Sequence, residues 1–162
     1  MQIEKILNNN VVQAMDNDVE YIVMGKGLGF QKKVGETVDK EKVEKTFVLE
    51  NPETVAEWTR AYVDLPDGEM QVFLNIITFA EDVLQTKFEP SFFIALADHL
   101  HYAIERSREG ISLQNSLAWE VRKFYPWEYE IGKQALRLIA NDLEVELADD
   151  EPASVALHFV NA

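Results

Sequence analysis

The hydrophobic period of this chain changes once, near Glu50-Asn51-Pro52-Glu53, and that change divides it into two architectures. Ahead of it, β-branched and aromatic residues gather in stretches that read as strands at 3–7, 11–15, 20–24 and 46–49. Asn8-Asn9-Asn10 separates the first two, as a tight turn of the kind that tolerates positive φ. Asp16-Asn17-Asp18 is hairpin chemistry between the second and third. Gly25, Gly27 and Gly29 break the chain after the third strand. Beyond the boundary the period is helical. Helices are expected at 54–62, from Asp67-Gly68 for about 20 residues, from Pro90 to a stop at Gly110, at 115–124, at 128–143, and from the acidic cap Asp149-Asp150-Glu151-Pro152 onward. The expected fold is α+β in two domains: a four-stranded antiparallel sheet at 1–52 and an all-α bundle at 53–162. Val11-Val12 and Tyr21-Ile22-Val23-Met24 put apolar groups on both faces of the sheet, which a solvated sheet does not need. A thin sheet of this size is therefore expected to dimerise with a copy of itself.

Composition excludes several classes. There is no cysteine, hence no disulfide scaffold, thiolate metal site or cysteine nucleophile, and a reducing, cytoplasmic setting fits. No apolar run is long enough to cross a bilayer, and the first residues carry no secretory signal. The net charge of −14 argues against nucleic acid until it is divided along the chain. Residues 1–50 hold seven lysines against nine acids, whereas 51–162 hold eight cations against twenty. The first part is close to neutral and carries Lys26, Lys32 and Lys33 near its glycines.

Gly25-Lys26-Gly27-Leu28-Gly29-Phe30 has neither dinucleotide nor Walker spacing, and no helix follows it to meet a phosphate. It reads either as a plain turn or as a segment where bare backbone, a stacking ring and lysines approach irregular or single-stranded RNA. The three asparagines read either as a turn or as amides able to meet base edges. His99 and His101 diverge by about 200° on a helix, so they do not share a metal, and no other ligand spacing is present. Each histidine, His158 included, reads as a surface or interface residue or, for His99 beside Asp98, as a phosphoryl acceptor. Asp98 is about 100° away from His99 on the helix and need not orient it. The acidic run 149–151 reads as a solvated cap, and Trp58, Trp119 and Trp127 as core or interface anchors. No arrangement of residues reads as an enzyme active site, and no cofactor or metal is expected.

The blocks Ile3-Glu4-Lys5-Ile6-Leu7-Asn8-Asn9-Asn10-Val11-Val12, Val23-Met24-Gly25-Lys26-Gly27-Leu28-Gly29-Phe30-Gln31-Lys32-Lys33 and Val43-Glu44-Lys45-Thr46-Phe47 resemble the co-antiterminator RNA-binding domain of BglG/LicT/SacY-type transcriptional antiterminators. Ala97-Asp98-His99-Leu100, Trp119-Glu120-Val121, Tyr129-Glu130-Ile131-Gly132 and Ala156-Leu157-His158 resemble their first phosphotransferase-system regulation domain. The resemblance implies a homodimer that binds a leader-mRNA hairpin and keeps a terminator from forming. It places RNA contacts at Lys5, Asn8, Asn10, Gly25, Lys26, Gly27 and Phe30. It places phosphorylation at His99 and His158, with Asp98 as a regulatory acid. The implied partners are the hairpin, a second copy, and phosphotransferase proteins, namely the sugar-specific EII and the phosphocarrier HPr.

Family members continue into a second regulation domain that takes the HPr input. The chain stops at Ala162, and a fragment of a longer protein is expected. Lys26 fills a position that is often arginine and loses the bidentate fork. Glu151-Pro152-Ala153-Ser154-Val155 departs from the commoner D-E-x-G-x-I run near His158. The competing reading is a dimerising protein-interaction module without RNA binding.

Overall fold

The computed structural model describes residues 1–51 and 53–162. The boundary expected at Pro52 lies outside them. The chain divides into two compact units, Met1–Asp67 and Gly68–Ala162.

The first unit is a meander of strands β1 (Gln2–Asn8), β2 (Val11–Asp16), β3 (Val19–Met24) and β4 (Lys45–Val48), paired antiparallel in chain order. Between β2 and β3, Asn17 and Asp18 both take positive φ, the two-residue hairpin that matches strand twist. The turn at Asn9 and Asn10 is built without positive φ, unlike the sequence expectation, because side-chain and backbone bonds hold it instead. After β3 a long connection runs back beside β1. Gly35 N–H donates to Ile3 O, and Ile3 N–H donates to Glu36 O, each at 2.8 Å.

Both sheet faces are covered within one chain. One face joins Ile3, Val12, Ala14 and Val23 to Leu28 and Val38 of the long connection. On the other, helix α1 (Glu53–Tyr62) buries Trp58 and Tyr62 and stacks Trp58 on Phe47 of β4 at 5.5 Å. The apolar residues on two faces thus have intrachain partners, and they do not by themselves call for a second copy. Trp58 is the core anchor expected of it.

The second unit contains α2 (Asp67–Leu84) from Gly68 onward, α3 (Pro90–Arg108), α4 (Ala118–Phe124), α5 (Pro126–Leu143) and α6 (Glu151–Val160). Helix α2 is buried on nearly all sides, with Val72, Phe73, Leu74, Ile76 and Ile77 all inside, rather than along the single stripe the sequence suggests. Helix α3 closes as expected. Gly110 takes φ +75°, Ile111 N–H reaches back to Arg106 O, and Gly110 N–H to Ser107 O. Helix α4 begins three residues later than expected, because Asn115 folds into a turn in which its Oδ1 accepts from Leu117 N–H. Trp119 and Trp127 are 63 % and 67 % exposed, not core anchors.

Helices α5 and α6 cross at close range. A Cβ on Gly132 would stand 2.1 Å from Pro152 O, so only glycine permits this approach. Alanine normally favours a helix by about 1 kcal/mol over glycine. Here Gly132→Ala must push two backbones apart, at about 1–3 kcal/mol. We expect a lower Tm by circular dichroism; an unchanged or raised Tm would contradict the crossing.

Candidate functional site

Two clusters, one in each unit, carry the residues singled out from the sequence.

The first lies where the β1–β2 turn meets the glycine segment after β3. The turn's backbone holds the segment, with Gly25 N–H donating to Asn10 O at 2.9 Å and Gly29 N–H to Asn9 O at 2.8 Å. The Asn10 side chain completes the tie, accepting from Gly27 N–H at Oδ1 (2.8 Å). Asn10 is only 4 % exposed. Asn8 Oδ1 accepts from Asn10 N–H, while Asn8 Nδ2 donates to Tyr62 O at the end of α1, both at 2.7 Å. Asn10 is buried and Asn8 half-buried, and both brace the turn through these bonds. The close approach expected of the glycines is also internal: a Cβ on Gly25 would meet Lys42 O at 1.8 Å. Gly27 differs. It has φ +71° and nothing within 4 Å of a Cβ position, so its surface is open.

What the struts present is Lys26 and Phe30. Both are exposed, Phe30 at 55 %. An exposed ring offers a stacking face and an exposed lysine a positive charge to a ligand. Lys32 is partly engaged, 3.8 Å from Glu36. Lys5 is exposed on β1, with Nζ donating to Thr59 Oγ1 of α1 at 3.2 Å.

The second cluster joins α3 to α6. His99 Nε2 hydrogen-bonds Glu151 Oε1, and the His99 and His158 rings lie 4.6 Å apart. Glu151 is buried, so the acidic run at the start of α6 is not a plain solvated cap. Asp150 also turns inward and accepts from Asn115 N–H at 2.9 Å. The carboxylate on His99 Nε2 thus comes from α6 and not from adjacent Asp98, which is half-buried on α3. His101 points elsewhere, with Nδ1 3.2 Å from buried Glu69 Oε1 on α2, as the divergence along the helix requires. Both rings of the pair line one cavity of about 820 Å³, with Asn115, Ser154 and an aromatic floor that includes Phe92 and Phe159.

Burial holds the His158 pKa below its ordinary value, and His99 pushes it the same way; Glu151 opposes both. A neutral imidazole keeps a nitrogen lone pair, which a phosphoryl acceptor needs. Glu151 was missed in the sequence, although a signal existed. Glu151 and His158 sit seven residues apart on α6, two turns along one face.

Residues 1–56 match the CAT RNA binding domain, and residues 74–162 match the PRD domain. This chain belongs to the PRD domain family, with a CAT RNA binding domain ahead of that domain. It is 39 % identical to the transcription antiterminator LicT of Bacillus subtilis (strain 168), over 100 % of this chain and 59 % of that protein. It is 43 % identical to the beta-glucoside operon antiterminator of Dickeya chrysanthemi, over 100 % of this chain and 58 % of the relative. It therefore spans less than two thirds of the length of either. The crystal structure of GlcT CAT-PRDI superposes with a TM-score of 0.87 at 28 % identity, covering 99 % of this chain and 96 % of that one. The four-stranded sheet followed by six helices is thus shared with a solved family member.

The His158 shift has a consequence for stability. Unfolded, this ring takes a proton near pH 6.5; folded, it does so only at lower pH. The stability contributed by its neutral form is complete above that value and is lost as pH falls below it. NMR titration of the His158 ring should give a midpoint below 6.5, and urea melts should show lower stability at about pH 5.5 than at about pH 7.5. A midpoint at or above the ordinary value would contradict the buried pair.

Proposed function

We propose that this chain is an RNA-binding transcriptional antiterminator: as a homodimer it grips a leader-mRNA hairpin with its sheet unit and prevents a terminator from forming. The observation that carries this reading is the glycine segment, which offers an exposed Phe30, an exposed Lys26 and the open backbone of Gly27 on a scaffold braced by Asn10. The match to the CAT RNA binding domain and the names of the two relatives support it. In this reading Lys26 and Lys5 meet phosphates, Phe30 stacks on an unpaired base, and Gly27 lets the backbone approach. Asn8, Asn10 and Gly25 act through the shape of the segment. The concentration of acidic charge in residues 51–162 keeps RNA from the wrong surface.

The helical unit is the control. We assign phosphoryl acceptance to His99 and His158, supplied by phosphotransferase proteins of the sugar-specific EII or HPr type, with Asp98 as a regulatory acid. A phosphoryl group adds about −1.5 to −2 charges. Beside Glu151 that charge repels the first turn of α6, which gives the bundle two arrangements for the dimer to follow.

A gel shift with the full chain and a hairpin of two internal loops tests the RNA reading. Phe30→Ala should weaken binding by about 1–3 kcal/mol. Lys26→Ala should lower the slope of log affinity against log salt by about 1. Equal binding to a scrambled RNA, with no effect of either change, would instead support a protein-interaction module.

A further inference from the structure

We propose that His99 and His158 form one phosphoacceptor site that holds a single phosphoryl group at a time. The inference rests on the reading of these two residues as acceptors and concerns how many groups they carry. Their rings are 4.6 Å apart and open into the same cavity. Two phosphoryl groups there would place about −3 to −4 charges within roughly one Debye length of about 8 Å, where salt screens little.

The cavity has little to neutralise them. Lys87 is the cation among its described lining residues, and its Nζ lies 3.6 Å from buried Glu81 Oε2. Glu151 already sets a third anion against His99. The counter-charge available to a first phosphoryl group is the other imidazole. A dianion beside it favours its protonated form. Once protonated, that ring has no lone pair with which to attack phosphorus, and it becomes a donor to the group already present. The first transfer thereby disarms the second acceptor.

The chemistry balances with a small donor such as phosphoramidate. A ring nitrogen lone pair forms an N–P bond as the donor's N–P bond breaks. Ammonia leaves and takes up the ring proton as ammonium. On His99 the acceptor is Nδ1, because Nε2 is held by Glu151.

Phosphoramidate treatment of the full chain, followed by intact mass spectrometry and fragmentation to assign residues, tests this directly. At saturation the folded chain should carry one phosphoryl group over the pair, and the chain unfolded in urea should carry two. His99→Ala and His158→Ala should each still accept one when folded. In the singly modified wild type, NMR should show the remaining ring of the pair titrating above its ordinary value, a readout that needs no variant to fold. Folded chains carrying both groups would overturn the inference, as would loss of all acceptance in one single variant. No group on either ring would overturn the reading of the histidines as well.

Discussion

The hydrogen bond from Gly27 N–H to Oδ1 of Asn10 is the contact on which the shape of the glycine segment depends. It extends the β2–β3 pairing, which ends at Val11 and Met24, from the β1–β2 turn into the segment after β3. Backbone bonds from Gly25 and Gly29 to the same turn close the ring. Removing that acceptor takes away one hydrogen bond at a half-buried donor, at about 0.5–1.5 kcal/mol. That cost falls on the shape of the segment and not on the sheet core. Lys26 and Phe30 are exposed because the residues between and beneath them are fixed.

The helical unit uses the same economy of means. Gly132 lets α6 approach α5 at Pro152, and the residue before that proline is Glu151. A close backbone crossing thus sets the position of the carboxylate that meets His99. One turn of α6 therefore carries a packing constraint and an electrostatic one together. A charge added to either ring acts on an element already pressed against its neighbour, and packed helices respond to such pressure by shifting as units.

Much of this was legible in the sequence, for physical reasons that differ by element. Short β-branched stretches between turn residues located all four strands within a residue or so, because alternation and turn chemistry are local. Pro90 and Gly110 located the ends of α3 for the same reason. Asn115 misled, since its amide makes a turn where the pattern suggested a helix start. Trp119 and Trp127 are exposed, which sets aside the core half of their core-or-interface reading and leaves the interface half standing. The braces made by Asn8 and Asn10 and the contact of Glu151 with His99 were hidden because each depends on a partner distant in sequence. His99 and Glu151 are 52 residues apart, and Asn8 and Tyr62 are 54. The second apolar face of the sheet suggested a partner copy; α1 of the same chain packs on that face, so the apolar pattern alone does not argue for the homodimer.

The central claim is that the braced glycine segment is where transcript is held. Backbone amide NMR of the full chain during titration with the leader hairpin tests it residue by residue. The account predicts the largest shifts at Lys26, Gly27 and Phe30, with smaller ones at Lys5 and in the β1–β2 turn. Shifts confined to residues 68–162, or a spectrum that the hairpin leaves unchanged, would contradict it.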